Sequence, residues 1–191
     1  MARNYWNVPP EDSAHAVFLE RYTAACEYAR GTVVDLACGY GTGSQMIAAA
    51  GADFVLGGDI DPVAIATAQG HNARPNQIEY IQLDIAVDPL PAKFDPCDWV
   101  VSLETVEHLP DEAFRLFFAR ILKMARVGIV VSTPIIPVAH KKGNFRDSTL
   151  EDMRSWFPAG WTQINERILQ EKLRPKMPKE DAYGLVVYVR N

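Results

Sequence analysis

Three glycines at alternate positions, Gly39, Gly41 and Gly43, follow an apolar run that ends in an acid, Asp35. The stretch from Val33 to Ser44 reads VVDLACGYGTGS and leads into SQMIAAAGA, a good helix former that stops at Gly51. Strand, glycine turn and helix in that order form the opening unit of a nucleotide-binding α/β sheet. Glycine is needed where a side chain would keep a ligand off the backbone, and where the turn demands φ values that other residues resist. The spacing is G-x-G-x-G, not the dinucleotide G-x-G-x-x-G, which aims a helix N-terminus at a pyrophosphate. A ligand with an adenosyl group and no phosphate needs mainly the close backbone approach.

The chain has 191 residues, which is ample for one domain with a full core. Its formal net charge of −5 argues against broad, sequence-independent nucleic-acid binding. Three cysteines, Cys26, Cys38 and Cys97, follow neither a CxxC pattern nor a disulfide framework, so reduced thiols in a cytoplasmic protein are expected. No apolar run approaches the roughly 20 residues that span a membrane, and MARNYWNVPPEDS lacks the pattern of an export signal.

Periodicity predicts an amphipathic helix over Ser13–Tyr28, with Val17, Tyr22, Ala25 and Tyr28 as its apolar markers. Strands are predicted at Thr32–Ala37, Phe54–Gly58, Ile78–Leu83, Asp98–Leu103 and Val127–Ser132. Asp61-Pro62 supplies an N-cap and a first-turn proline for a helix over Val63–Asn72. Asp111 is expected to cap a helix reaching Ala125, with Phe114, Phe117, Phe118, Ile121 and Leu122 as its buried stripe. Ser148 to Glu151 fits a capping box that opens a further helix. Trp161–Leu169 and Tyr183–Arg190 read as two strands of an antiparallel hairpin across the polar segment EKLRPKMPKED. Strands alternating with helices predict a doubly wound, mostly parallel sheet, made mixed by the terminal hairpin.

In such sheets a ligand lies beyond the carboxyl ends of the strands. Here four strands in succession end in an acid or a glycine turn: Asp35 with its glycines, Asp59, Asp84 and Glu104. Asp59 lies twenty residues past Gly39, the separation of a carboxylate that accepts ribose hydroxyls. A helix cap is the plainer part for Asp59, but Asp61 fills that post better. Asp84 and Ile85 either border an adenine or belong to a solvated loop.

Five segments now combine: VVDLACGYGTGS, VLGGDIDPVAIATA, IEYIQLDI, FDPCDWVVSLETVEHLPD and VGIVVSTP. With them the chain resembles, over nearly its whole length, class I methyltransferases that use S-adenosylmethionine (SAM). It is most similar to the small-molecule group with an E-x-x-E-H-L segment after the fourth strand. The resemblance implies a Rossmann-like, seven-stranded sheet of order 3-2-1-4-5-7-6 with an antiparallel seventh strand. It implies one domain over 1–191: an N-terminal helix or lid at 1–30, a SAM-binding core at 31–132, and an acceptor loop with the terminal hairpin at 133–191. The cofactor-binding set it implies is Asp35, Ala37, Gly39, Gly41, Gly43, Asp59, Ile60, Asp84, Ile85 and Glu104. There Asp59 holds the ribose, Asp84 and Ile85 border the adenine, and Glu104 flanks the methionine end. The chain departs from the family in reading MARVG where a proline-glycine turn is common before strand five. It also carries Ile135 after the STP segment, and Arg146 where a histidine is expected.

On one helical turn Glu104, Glu107 and His108 would share a face. Glu107 and His108 are the candidate catalytic pair, since imidazole exchanges protons near neutral pH. Alternatively the three bind a divalent metal with His140, as in RNA 2′-O-methyltransferases with a similar segment, or they merely shape the turn. No metal belongs to the expected set. The loop Ile135–Asp147 carries His140, Lys141, Lys142 and Arg146, which either attract an anionic acceptor or face water. Tyr5 and Trp6 are candidates for a lid. The activity expected is methyl transfer from SAM to an oxygen or nitrogen of a small molecule. The rivals are a metal-dependent RNA 2′-O-methyltransferase, a non-catalytic SAM binder, and an NAD oxidoreductase, which the glycine spacing and the lack of a Tyr-x-x-x-Lys pair disfavour.

Overall fold

Each central strand is apolar on both sides, and the structure shows why. In the computed structural model, which describes residues 13–135, 145–170 and 182–191, Val33, Val55, Val101 and Val130 enter one core cluster. Their neighbours Val34, Leu56, Val100 and Ile129 enter another on the opposite face. Successive side chains point to opposite faces of a strand, so such runs fit a sheet covered by helices on both sides.

The elements in chain order are α1 (Ser13–Cys26), β1 (Gly31–Leu36), α2 (Thr42–Ala49), β2 (Ala52–Asp59), α3 (Pro62–Gly70), β3 (Ile78–Gln82), β4 (Cys97–Leu103), α4 (Asp111–Met124), β5 (Ala125–Pro134), α5 (Leu150–Ser155), β6 (Trp161–Gln170) and β7 (Ala182–Arg190). They build a seven-stranded sheet of order β3-β2-β1-β4-β5-β7-β6. β7 runs antiparallel to both β5 and β6, and the other pairings are parallel. The Rossmann-like fold class and strand order are therefore those expected.

Several local expectations shift. Tyr28 lies beyond the end of α1. Asp61 does cap α3, accepting from the Val63 amide at 2.8 Å, with Pro62 at the first helical position. At α4 the N-cap is Pro110, and Asp111 is the first helical residue. The Asp111 carboxylate accepts from Arg146 instead, at 2.7 Å. The capping box of α5 falls one residue later than expected, on Thr149 and Asp152. Ser148 is buried, and its hydroxyl makes no hydrogen bond among the described residues. α4 passes into β5 with no residue between them, because Ala125 takes extended dihedrals at the helix end. That is how MARVG replaces a proline-glycine turn. Phe117 and Ile121 in the α4 stripe are fully buried, and truncating Phe117 to alanine should cost about 3–5 kcal/mol.

The three cysteines are unpaired. Among the described residues, no helix is long and apolar enough to cross a membrane.

Candidate functional site

Two neighbouring strands release their chains at the carboxyl rim through strained residues. Ala37, after β1, has φ of 61°, and Glu104, after β4, has φ of 57°. Side chains other than glycine pay about 1–2 kcal/mol there, and such residues persist only where the surroundings over-determine them. β1 and β4 pair directly, so both strained points belong to one rim.

At the β1–β2 end of that rim the backbone is tied down. The Cys38 amide donates to the Gly58 carbonyl at 3.1 Å. The Gly39 amide donates to Asp59 Oδ2 at 2.8 Å, and the Asp61 amide to Oδ1 at 2.9 Å. Asp59 thus faces the glycine turn. A carboxylate has about four acceptor positions, so both oxygens keep capacity for ligand hydroxyls. Ile60 and Val63 beside it are exposed at 63% and 66%, an apolar surface next to a carboxylate.

The three glycines do not share one job. An added Cβ on Gly39 (φ 55°) would meet nothing within 4 Å. On Gly41 (φ 79°) it would strike the Tyr80 ring and hydroxyl at 2.6–2.8 Å. On Gly43 it would lie 1.9–2.5 Å from the Tyr22 ring. Gly43 already belongs to α2. So Gly39 offers bare backbone to open space, whereas Gly41 and Gly43 make room for the protein's own tyrosines.

Asp35 lies behind the loop. Its carboxylate is fully buried, accepting from Ser44 Oγ at 2.6 Å and from Tyr22 Oη at 3.2 and 3.4 Å. Burial pushes it up to about 7, against the two hydroxyl bonds that hold it down. It supports the loop from within. Asp84 is half-buried, folding a turn of its own by accepting from the Ala86 amide at 3.0 Å. Ile85 packs into the second core cluster. The Leu83 amide donates to the Asp59 carbonyl at 2.9 Å, which brings this turn alongside Asp59.

The β4–β5 end is built from charged side chains. Glu104 Oε1 accepts from Ser132 Oγ at 2.9 Å, and Oε2 lies 3.7 Å from Arg21 Nη1. Arg21 comes from α1, is 6% exposed, and lies 5.0 Å from the Tyr183 ring centroid. Glu107 is also buried, with Oε2 accepting from Thr133 Oγ1 at 3.2 Å. Burial pushes its carboxyl well above the usual range, and the Glu104 carboxylate pushes the same way. Val106–His108 is a 3-10 turn, not an α-helical one. His108 therefore points outward, its side chain 56% exposed against 3% for Glu107, with Nε2 3.9 Å from Glu107 Oε1. The three side chains do not share the face that helical spacing implied. Among the described residues, no group of three or more His, Cys, Asp or Glu is arranged to hold a metal.

Arg146 is fixed at the root of the loop after β5, with its guanidinium 3.9 Å from the Phe114 ring centroid and paired to Asp111. The Phe145 amide donates to the Glu107 carbonyl at 2.7 Å, which ties that root to the rim. His140, Lys141, Lys142, Tyr5 and Trp6 lie outside the described residues. Sequence reasoning missed Arg21, Tyr22 as a hydrogen-bond donor, Ser44, Tyr80, Ser132 and Thr133. The available signal was a charged residue beside apolar markers in α1 and hydroxyls within otherwise apolar strands.

A family model described as a methyltransferase domain matches residues 33–128, half of the chain. The chain belongs to this methyltransferase-domain family. The match runs from the start of the glycine motif into β5, so it takes in Gly39, Asp59, Glu104 and Glu107 but not Arg21, Ser132 or Thr133. Among solved structures, the magnesium protoporphyrin IX methyltransferase of Synechocystis with bound SAM is similar, with TM-score 0.74 and 18% identity over 98% of this chain and 90% of that one. A SAM-dependent methyltransferase from Mesorhizobium loti aligns with TM-score 0.70 and 18% identity, over 94% and 100% of the two chains. The cyclase SpnF aligns with TM-score 0.74 and 14% identity, over 100% and 88%. At these identities the likeness is one of fold, and the fold supports more than one chemistry. No curated protein matches the chain.

Proposed function

We propose that this methyltransferase domain transfers a methyl group from SAM to an oxygen or nitrogen of a small-molecule acceptor. One observation carries the reading: the bare backbone at Gly39, hydrogen-bonded to a carboxylate whose other side borders exposed apolar residues. That combination suits an adenosyl group, with Asp59 accepting from the ribose hydroxyls and Ile60 covering the base. Ala37 and Gly39 line the cofactor backbone-on, and Asp84 closes the adenine side. Glu104 stands at the methionine end, where an ammonium group would complement its charge. The division of labour along the chain is a core at 31–132 that holds SAM, with 1–30 and 133–191 enclosing the acceptor. The unpaired cysteines suit the reducing cytoplasm.

Bound SAM supplies a sulfonium whose methyl is already reactive. The chain's own contribution is alignment and exclusion of water. Burial and the Glu104 carboxylate favour the protonated, neutral form of Glu107, so its part beside His108 is to orient and to donate rather than to accept a proton. His108, at the exposed side of Glu107, is the candidate general base. The proton given up by the acceptor's hydroxyl or amine would leave through His108 to solvent.

Release of S-adenosylhomocysteine (SAH) from SAM, over a panel of sugars, phenols, small acids and short RNAs, tests this reading. Turnover with a small molecule that persists in chelator is the expected result. Turnover on RNA alone, lost in chelator, would overturn it in favour of the metal-dependent alternative. Absence of turnover with intact SAM binding would leave a binder.

A further inference from the structure

One carboxylate joins three elements behind the cofactor loop. Tyr22 reaches Asp35 from α1, Asp35 itself closes β1, and Ser44 reaches it from the first turn of α2. The Tyr22 ring also fills the space that a Cβ on Gly43 would need. Phe18, one turn earlier in α1, backs that ring at 4.8 Å between centroids. α2 begins just after Gly41, and the Gly41 amide is bonded to the Cys38 carbonyl at 3.1 Å. A displacement of Ser44 therefore passes through a tight turn to the Gly39 amide and its bond with Asp59.

We propose that Tyr22 is a positioning residue for the cofactor, seating the glycine loop by clamping Gly43 and Ser44 through the Asp35 carboxylate without touching the ligand. The inference rests on the SAM-binding reading of the rim. A purely structural clamp would be served as well by an asparagine, which carries no charge to desolvate. An ionised carboxylate differs in accepting on both of its oxygens, where an asparagine would turn an NH2 donor toward one of the hydroxyls. Its surroundings make that state conditional. The titratable groups that face it are Tyr22 and Cys26 of α1, Cys38 of the loop, Asp59 at the end of β2, and Tyr80 of β3. Asp59 raises Asp35 by like charge, while the Tyr22 and Ser44 bonds lower it, and burial sets the balance near 7. Below that point Asp35 takes up a proton and becomes a donor, so one of its two hydroxyl partners has to turn around. The clamp then loosens.

SAH binding by titration calorimetry from pH 5.5 to 8.5, for wild type, Tyr22→Phe and Asp35→Asn, tests the proposal. Hydrogen exchange of the free proteins, read at the amides of residues 39–44 against those of α4, is measured alongside. Wild-type affinity should fall below about pH 7. Tyr22→Phe should bind roughly tenfold more weakly at pH 8, the effect of one lost bond to a charged group. Its break should lie at higher pH, because one bond that holds Asp35 down is gone. Asp35→Asn should show no break. Exchange at residues 39–44 should quicken in Tyr22→Phe while α4 is unchanged. Wild-type affinity and pH profile retained in Tyr22→Phe, or exchange unchanged at residues 39–44, would overturn the proposal. If wild type binds no SAH, the reading of the rim fails, and the exchange experiment still decides whether Tyr22 holds the loop.

Discussion

The two ends of the carboxyl rim are built from different materials. At the β1–β2 end the turn is backbone, with Gly39 bare, its amide tied to Asp59, and tyrosines packed against Gly41 and Gly43. At the β4–β5 end it is side chains, with Arg21, Glu104 and Glu107 largely buried among the hydroxyls of Ser132 and Thr133. Backbone geometry is written into local sequence as glycine spacing, and it suits a ligand common to a family. A buried charge cluster is assembled from distant segments, here α1, the turn after β4 and β5.

The comparison breaks most easily at the glycines. Gly43→Ala forces a methyl into the Tyr22 ring and should cost about 3 kcal/mol of unfolding free energy in urea titration. In a Tyr22→Ala background most of that cost should vanish, a coupling that a double-mutant cycle measures. Gly39→Ala meets open space and should cost only about 1–2 kcal/mol, from its left-handed φ, while weakening SAH binding. Equal stability losses at the two positions would erase the distinction between clamp and cradle.

A smaller effect sharpens the charged end. The Glu107 carboxyl is raised in the folded state, so its contribution to stability is present below its unfolded value and is lost as pH rises through the folded one. Thermal unfolding of Glu107→Gln should therefore gain on wild type between pH 5 and pH 8. Asp35 carries the same sign, its window running from the ordinary 3.8 to about 7. A pH-independent difference between Glu107→Gln and wild type would contradict the burial argument. The smallest effect expected is Arg154→Ala. It breaks an exposed pair with Glu166, and unfolding free energy should move by less than about 1 kcal/mol.

What the sequence made legible follows the same divide. Strands buried on both faces, the Asp61-Pro62 start of α3 and the terminal hairpin all rest on residues adjacent in the chain, and the structure reproduces them. At α4 Asp111 sits one residue inside the helix, and its carboxylate is paired with Arg146, 35 positions away. The hydrogen bonds of Asp35 come from Tyr22 and Ser44, 13 and 9 positions away, and nothing local in the sequence showed those partners. His108 was placed on the wrong face because spacing of i and i+4 assumes an α-helix, and the segment is a 3-10 turn. Local chemistry was readable; partners brought in by the fold were not.

The central claim is that Gly39 and Asp59 together hold an adenosyl group, and calorimetric titration of SAH into wild type and Asp59→Ala tests it most directly. The account predicts saturable binding at one site in wild type, weakened about a hundredfold in Asp59→Ala with its melting transition retained, the scale of two lost bonds to a carboxylate. Equal affinity in the two proteins would contradict it.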